Sequence, residues 1–335
     1  MAPTDQVGGR LPDAASRAGR ISPRTGDVTL AAHVSYTLKR KPHLWTREAR
    51  LAYLLMLPAV LLLVLLMVYP IVYVFMMSLY RTDRIGRLQE FAGMAAYLEV
   101  FTTRVFWETT VRTAVWTVLA VLVKAVFGMV IALALNVEYV GRRVARMLFI
   151  IPWASSVPIS AMLWKWVYDH EFGLLNHTLK ATGLWNNPPV WLGAPISAFI
   201  ATIWVDIWVG IPFMALIFLA GMQAISRDLY ESGDIDGANA RQKFLHITIP
   251  GIRHLILIAT MLSSLWTFND FNTVFILTKG GPGTSTEILI TAVYKHGFEW
   301  LRFSRAAVMA VVTFIILTVV SLFYAHVFFR QERDV

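Results

Sequence analysis

The sequence predicts an all-α integral membrane protein with six transmembrane helices. Of its 335 residues, 57% are hydrophobic and only 15% are charged. Apolar runs long enough to cross a bilayer as helices recur along the chain. Much of the net charge of +9 lies in the first fifty residues, ahead of the first apolar run. That distribution is typical of a cytoplasmic N-terminus, and it argues against nucleic-acid binding as the role of the basic residues.

The chain divides into a tail and one membrane domain. Residues 1–42 are rich in Gly, Pro, Ser, Ala and Arg without an apolar period, which predicts a disordered basic cytoplasmic tail. Residues 43–335 form the membrane domain. Its first apolar run is too long for a signal peptide and lacks a small-residue cleavage site. The six predicted spans are 51–79, 111–136, 147–168, 195–222, 249–277 and 306–329.

The connections between the spans fix the expected topology. Residues 81–106 are expected to form a polar external loop, whereas the basic loop 141–146 belongs inside. Pro152 and Pro158 are expected to break the third span. Six spans then leave both termini in the cytoplasm.

Sequence motifs for catalysis are absent. The chain has no cysteine, which excludes disulfides and thiolate metal sites. It contains no Gly-x-x-x-x-Gly-Lys-Ser/Thr loop for ATP, no His-Glu-x-x-His metal motif and no Gly-x-Ser-x-Gly nucleophile elbow. The sequence therefore predicts no catalytic residue, no metal site and no cofactor bound by this chain.

A polar stretch, residues 226–250, separates the fourth and fifth spans. Ser226 is suited to an N-cap, and Asp228 places an acid in the first turn of a helix. Gly233 and Gly237 are expected to break or cap this short helix, and a second helical piece is expected to run to Pro250. Two short helices lying flat at the membrane surface are suited to docking into another protein.

One face of the fifth span is polar. Ser263, Trp266, Thr267 and Asp270 recur at i, i+3, i+4 and i+7, so they share a helix face. Hydroxyls, a carboxylate and an indole suit a polyhydroxyl ligand, because the ring stacks on the apolar face of a sugar. The alternative is that this face only forms hydrogen bonds to neighbouring helices.

A second intramembrane acid, Asp206, lies in the fourth span. It belongs either to a solute pathway or to an ion pair with Lys124 or Lys165. Two buried acids also leave open a proton-coupled secondary carrier that uses Asp206 and Asp270. A membrane scaffold without a transport role is a third class, and it would need neither the polar face nor the docking loop.

The polar stretch contains a spaced motif, in which Glu231-Ser232-Gly233 precedes Gly237 and then Ile247-Thr248-Ile249-Pro250. It resembles the EAA loop of permease subunits from binding-protein-dependent ABC importers. The spacing is intact, although Ser and Gly replace two alanines and Ile replaces a leucine. The resemblance covers about residues 50–330, and it implies that the loop couples the chain to an ATPase subunit. The coupling residues it implies are Glu231, Ser232, Gly233, Asp236, Gly237, Ala238, Ile247 and Pro250.

The segments 268–271 and 277–282 resemble the sugar-transporting branch of these permeases. In the maltose-type subunit, ligand-contacting positions lie at fixed offsets from the EAA glutamate. Several residue types differ here, so the resemblance implies a shared pocket and leaves the ligand open. The substrate-pathway positions it implies are Val209, Gly210, Phe213, Ser263, Trp266, Thr267 and Asp270.

The resemblance further implies the fold of a type I ABC importer permease in the bacterial cytoplasmic (inner) membrane. The expected partners are a second homologous permease subunit in a heterodimer, two ATP-binding-cassette ATPase subunits that bind ATP and Mg²⁺, and an extracytoplasmic solute-binding protein. The implied mechanism is alternating access. A neutral mono- or disaccharide is the first expected substrate, a polyol the second, and a glycerol-phosphate ester the third.

Overall fold

The computed structural model describes residues 47–333, which are mostly helical. The tail predicted for residues 1–42 lies outside the described residues. The chain divides into two units, Met1–Leu66 and Met67–Val335. In the first unit, the structure describes helix α1 (Arg47–Leu63) and the beginning of a π-helical turn, Val64–Val68. The apolar side chains of α1 are exposed, so this helix presents a surface for lipid or another protein.

The second unit begins with α2 (Tyr69–Leu79) and an antiparallel hairpin of β1 (Tyr80–Thr82) and β2 (Leu88–Phe91). Helix α3 (Ala95–Phe101) follows. The polar loop predicted over residues 81–106 therefore contains a hairpin and a short helix. The hairpin is fixed to the last long helix of the chain, because its backbone and side chains form hydrogen bonds with Ser304.

Two long helices form the centre of the second unit, α4 (Arg104–Asn136) and α8 (Pro195–Ala224). Half of the residues of α8 are buried, and they pack against α4 along much of its length. The two backbones approach closely at Gly128, where an added Cβ would lie 2.6 Å from Cβ of Met214. A glycine is required at this crossing because any side chain would separate the helices.

The third span is broken as predicted. It consists of α5 (Arg142–Ala154) and α6 (Val157–Val167), which are bent relative to each other by 94°. Pro152 and Pro158 lie on either side of the break. Pro158 lies in the first turn of α6, where a missing N–H costs no helical hydrogen bond. A short helix, α7 (Leu174–Ala181), follows.

The polar stretch after α8 differs from the prediction of two separate surface helices. Helix α9 (Arg227–Ile235) is separate, but α10 (Ala240–Lys243) continues through a π-helical turn, Phe244–Thr248, into α11 (Ile249–Phe268). The N–H of Ile249 donates to the carbonyl of Phe244, five residues back. This wider turn directly precedes Pro250, which has no N–H to donate, so the helix continues across the proline.

The fifth span is shifted relative to the predicted 249–277, because it begins at Ala240, α11 ends at Phe268 and α12 (Phe271–Leu277) begins anew. The break is stabilised by Asp270, whose carboxylate accepts a hydrogen bond from the N–H of Thr273. The chain then continues through three further elements. These are α13 (Leu289–Tyr294), a π-helical turn (Lys295–Glu299) and α14 (Phe303–Arg333).

The described residues contain five helices that are long and apolar enough to cross a membrane, or six spans if the bent α5–α6 pair counts as one. The five single helices are 49–79, 104–136, 195–224, 240–268 and 303–330. The predicted fold class, an all-α membrane protein with six transmembrane helices, is thereby confirmed, with one small hairpin added.

Candidate functional site

A cavity of about 380 Å³ lies between α4, α5, α6, α8, α11 and the break before α12. Two of its three ionisable residues, Lys124 and Asp206, lie well inside two membrane-spanning helices, far from their ends. Its volume is within the range of small-molecule sites. The lining residues are Lys124, Trp153, Val157, Asp206, Val209, Gly210, Phe213, Ser263, Trp266, Asp270 and Thr273.

Aromatic rings form one wall of the cavity. The ring centroids of Phe213 and Trp266 are 4.8 Å apart with planes at 61°, and those of Trp153 and Phe213 are 6.1 Å apart with planes at 28°. Trp266 is 53% exposed, so its face is available to a ligand. The bend between α5 and α6 brings Trp153 to the cavity, and the 3.6-residue period of α8 brings Phe213.

A buried ion pair forms another wall. Nζ of Lys124 lies 2.7 Å from Oδ2 of Asp206 and donates a 2.7 Å hydrogen bond to the hydroxyl of Thr267. The Lys124 and Asp206 side chains are only 4% and 10% exposed. Gly210 permits this arrangement, because a Cβ there would lie 2.6 Å from Cε of Lys124. Asp206 thus has both proposed features, a lysine partner and a position on the cavity, while Lys165 instead donates to the carbonyl of Ile276.

Asp270 lies at the break between α11 and α12. Its Oδ1 accepts a 3.1 Å hydrogen bond from the N–H of Thr273, which fixes the carboxylate as an N-cap. Among the described residues, Asp270 forms no salt bridge. One carboxylate oxygen therefore remains available to a ligand in the cavity.

Six of the seven predicted pathway residues line this cavity, and Thr267 does not. The Thr267 side chain is fully buried on the face toward α4, where its carbonyl also accepts from Nε1 of Trp116. Helical spacing places Thr267 on the same face of α11 as Ser263 and Trp266. It could not predict that Thr267 is buried, because that depends on where the neighbouring helix α4 packs. The seven predicted positions did not include five lining residues, Lys124, Trp153, Val157, Asp206 and Thr273. Of these, Asp206 is a sequence candidate for the pathway, and Lys124 for its partner, because both are charged residues within spans.

The polar loop has well-defined helix caps. The side chain of Ser226 accepts from the N–H of Asp228, which confirms the predicted N-cap. At the other end of α9, Gly237 has φ +72° and a Schellman motif forms. The N–H of Ala238 donates to the carbonyl of Gly233, and the N–H of Gly237 donates to the carbonyl of Asp234. Gly237 therefore caps the helix, whereas Gly233 lies inside it.

The inner face of helix α9 packs against α10 and the π-helical turn that leads into α11. These two elements are called the foot of α11 below. The hydroxyls of Tyr230 and Thr248 are 2.9 Å apart, and Lys243 forms an ion pair with Asp234. A Cβ at Gly233 would lie 3.3 Å from the side chain of Ile247, so the helices are close at this point. The outer face is exposed, and it presents Leu229, Glu231, Ser232 and Ile235.

The eight residues of the spaced motif lie within this short, ordered unit. Three lie on α9, three in the turn that follows, one in the π-helical turn and one in the first turn of α11. They are Glu231, Ser232 and Gly233, then Asp236, Gly237 and Ala238, then Ile247, and finally Pro250.

Apolar helices that enclose a polar, aromatic-lined cavity, together with an exposed helix at one end of the bundle, define a solute permease. The chain belongs to the family described as "Binding-protein-dependent transport system inner membrane component", which matches residues 124–333. It is thus a permease of the binding-protein-dependent ABC importer class.

Named relatives agree with this assignment. The chain is 36% identical over 284 residues to a probable ABC transporter permease protein of Brucella suis, covering 85% of this chain and 98% of that protein. It is 35% identical over 288 residues to the trehalose/maltose transport system permease protein MalF of Thermococcus litoralis, covering 86% and 96%.

A solved structure shares the fold. It is a crystal structure of a bacterial ABC transporter involved in the import of the acidic polysaccharide alginate, with a TM-score of 0.75. The identity is 22%, and the match covers 85% of this chain and 96% of that one. The family assignment does not favour the proton-coupled carrier, and the ion pair of Asp206 engages one of the two acids that such a carrier was expected to use.

Proposed function

We propose that this chain imports a sugar, a mono- or disaccharide or a polyol, delivered by an extracytoplasmic binding protein. The observation that supports this proposal most directly is the cavity of about 380 Å³, in which Trp266 presents an exposed ring beside the hydroxyl of Ser263 and the carboxylate of Asp270. A sugar has an apolar ring face, which can stack on the ring of Trp266. It also has several hydroxyl donors, which can bind the hydroxyl of Ser263 and the carboxylate of Asp270.

The pathway residues then have distinct roles. Trp266 and Phe213 stack against the sugar ring, while Val209 and Gly210 leave space on the α8 side. Ser263 and Asp270 supply the polar contacts, while Thr267 accepts a hydrogen bond from Lys124 and holds that ammonium against the protein. A buried hydrogen-bonding site of this kind discriminates well against solutes that lack the matching hydroxyl.

ATP hydrolysis is coupled to this cavity through α9. The exposed face with Leu229, Glu231 and Ile235 docks into one of two ATPase subunits, which bind ATP and Mg²⁺, whereas this chain binds no cofactor itself. The inner face transmits the movement through Tyr230 to the foot of α11, and α11 also lines the cavity. A second homologous permease subunit completes the translocation pathway in a heterodimer.

This assembly lies in the bacterial cytoplasmic (inner) membrane, with α9 and both termini on the cytoplasmic side. The basic residues before α1 support that orientation, because positive charge is retained inside. Closure of the ATPase dimer would open the cavity outward, and hydrolysis would return it to the inward-facing state.

Uptake by proteoliposomes tests the proposal. The vesicles contain this chain, its co-purified partners and the binding protein, and they are given labelled maltose, trehalose, glucose or glycerol with and without internal ATP. Accumulation of one of these solutes only with ATP is the expected result. Accumulation driven by a pH gradient without ATP would contradict the proposal and restore the proton-coupled alternative.

A further inference from the structure

Lys124 is the only basic residue among those lining the cavity in the described range 47–333. Its ammonium is already engaged at 2.7 Å by the carboxylate of Asp206 and at 2.7 Å by the hydroxyl of Thr267. The side chain is 4% exposed, and its stem is pressed against the backbone of Gly210. The positive charge is therefore directed toward protein groups and away from a solute.

The carboxyl group of Asp270 has no such partner in the described part of the chain. Its Oδ1 accepts from the N–H of Thr273, and no lysine or arginine forms a salt bridge with it. The cavity wall thus holds two carboxylates and one ammonium. A cleft with apolar walls and an excess of one sign of charge concentrates ions of the opposite sign and repels ions of the same sign.

We infer that this cavity rejects anionic solutes and accepts a neutral sugar or one that carries an amine. The inference rests on the proposed function and adds the charge class of the substrate. A sulfonate, phosphate or carboxylate on the solute would meet Asp270 without a free cation to neutralise it. An ammonium or a hydroxyl would instead donate to the free oxygen of that carboxylate. The fold shared with an importer of an acidic polysaccharide carries no argument about the charge of this cavity, since a match at 22% identity shows the fold alone.

Charged thiol reagents measure the sign of the cavity without knowledge of the natural solute. The chain contains no cysteine, so Val209→Cys in the full transporter gives this subunit one thiol that faces the cavity. The probes are the trimethylammonium-ethyl and the sulfonato-ethyl methanethiosulfonates, and the reaction is followed by the intact mass of the separated chain. The ratio of their rates is divided by the ratio measured on the neutral free thiol N-acetylcysteinamide. Ser263→Cys serves as a second labelling position if Val209→Cys does not assemble.

The cationic reagent is expected to react at least tenfold faster than the anionic reagent after this normalisation. Asp270→Asn on the same background should lower the ratio at least threefold. Lys165→Met, which removes an exposed lysine outside the cavity, should leave the ratio unchanged. A ratio at or below one, a ratio insensitive to Asp270→Asn, or no reaction with either reagent overturns the inference.

The proposed function and this inference fail separately. A transporter that imports a labelled sugar with ATP but shows no reagent preference keeps the function and loses the charge class. A strong preference for the cation without ATP-driven uptake of any sugar or polyol supports the charge class and contradicts the function.

Discussion

The hydroxyl of Tyr230 lies 2.9 Å from the hydroxyl of Thr248 and connects α9 to the foot of α11. Thr248 is 4% exposed, whereas the opposite face of α9 is open to solvent. Because α11 also places Ser263 and Trp266 on the cavity wall, this contact links α9 to a helix that lines the cavity. A displacement of α9 therefore acts on a helix that shapes the cavity.

Tyr230→Phe removes this contact while keeping the aromatic ring. The lost hydrogen bond is worth about 1 kcal/mol, so the sugar imported per ATP hydrolysed should fall about fivefold at most. Uptake and ATPase rates measured on the same proteoliposomes give the ratio. Tyr139→Phe is the matched control, since Tyr139 is an exposed tyrosine in the α4–α5 loop. Equal ratios for both variants would show that the contact does not transmit the movement.

Gly237→Ala should impair coupling because the chain requires φ +72° at this position. A side chain in this left-handed region costs about 1–2 kcal/mol, although no atom would obstruct the new Cβ. Gly237→Pro should be more severe, since the ring fixes φ near −65° and would distort the turn. Both variants should insert into the membrane and retain ATPase subunits, while uptake falls.

Gly183 provides a matched control for this substitution. It follows α7 with φ +68°, and an added Cβ there would also meet open space. Gly183→Ala thus introduces the same local strain away from the docking loop. Equal losses of uptake in Gly183→Ala and Gly237→Ala would mean that strain alone, and not coupling, explains the result.

Hydropathy predicted most spans correctly because the bilayer fixes the length of an apolar helix. The predicted 195–222 agrees with α8 (Pro195–Ala224), and the expected break of the third span lies between its two prolines. The N-cap at Ser226 also followed from the sequence, since a cap depends only on neighbouring residues. Features that are determined within one turn of a helix depend only on neighbouring residues, and they can therefore be predicted from the sequence.

The predictions that were wrong or undecided concern features that depend on competition between local and tertiary contacts. The run 249–277 is apolar enough for one helix, yet the side chains of Asn269 and Asp270 bond to nearby backbone groups and end α11 at Phe268. The choice of Lys124 over Lys165 as the partner of Asp206 depends on how α4 is rotated against α8. The residue pattern of a single helix does not specify how that helix is rotated against its neighbour.

Asp270→Ala should lower uptake at least tenfold without lowering the amount of assembled complex. The substitution removes both the N-cap of α12 and a carboxylate that lines the cavity. Asp270→Asn separates the two, because asparagine caps helices about as well as aspartate but has no charge. A loss of apparent solute affinity in Asp270→Asn would assign the effect to ligand contact. Unchanged uptake by Asp270→Ala would contradict the pathway assignment.

The half-buried imidazole of His296 is expected to make the stability of the complex sensitive to acid. Burial, followed by the positive charges of Arg305, Arg302 and Lys295, lowers the pKa of His296 from 6.5 to about 4. A depressed histidine pKa means that the folded state prefers the neutral form, so its contribution to stability is complete above pH 6.5 and is lost toward pH 4.

The midpoint of thermal unfolding should therefore fall as the pH is lowered from 7 to 4.5, and His296→Gln should flatten that dependence. His177→Gln, at an exposed histidine on α7, should leave the wild-type profile in place. Identical pH profiles for His296→Gln and the unmodified protein would show that other groups cause the acid sensitivity.

The Lys124–Asp206 pair should behave as a coupled unit in a double-mutant cycle. Lys124→Met leaves the buried Asp206 carboxylate without its cation, which should destabilise the complex by about 3–5 kcal/mol. Asp206→Asn leaves the ammonium with only Thr267 and should also be strongly destabilising.

The double variant removes both charges, so its loss in thermal stability should be smaller than the sum of the two single losses. Lys165→Met, at an exposed lysine bonded only to a carbonyl, is the control with little expected effect. Additive losses would mean that the two charges do not depend on each other.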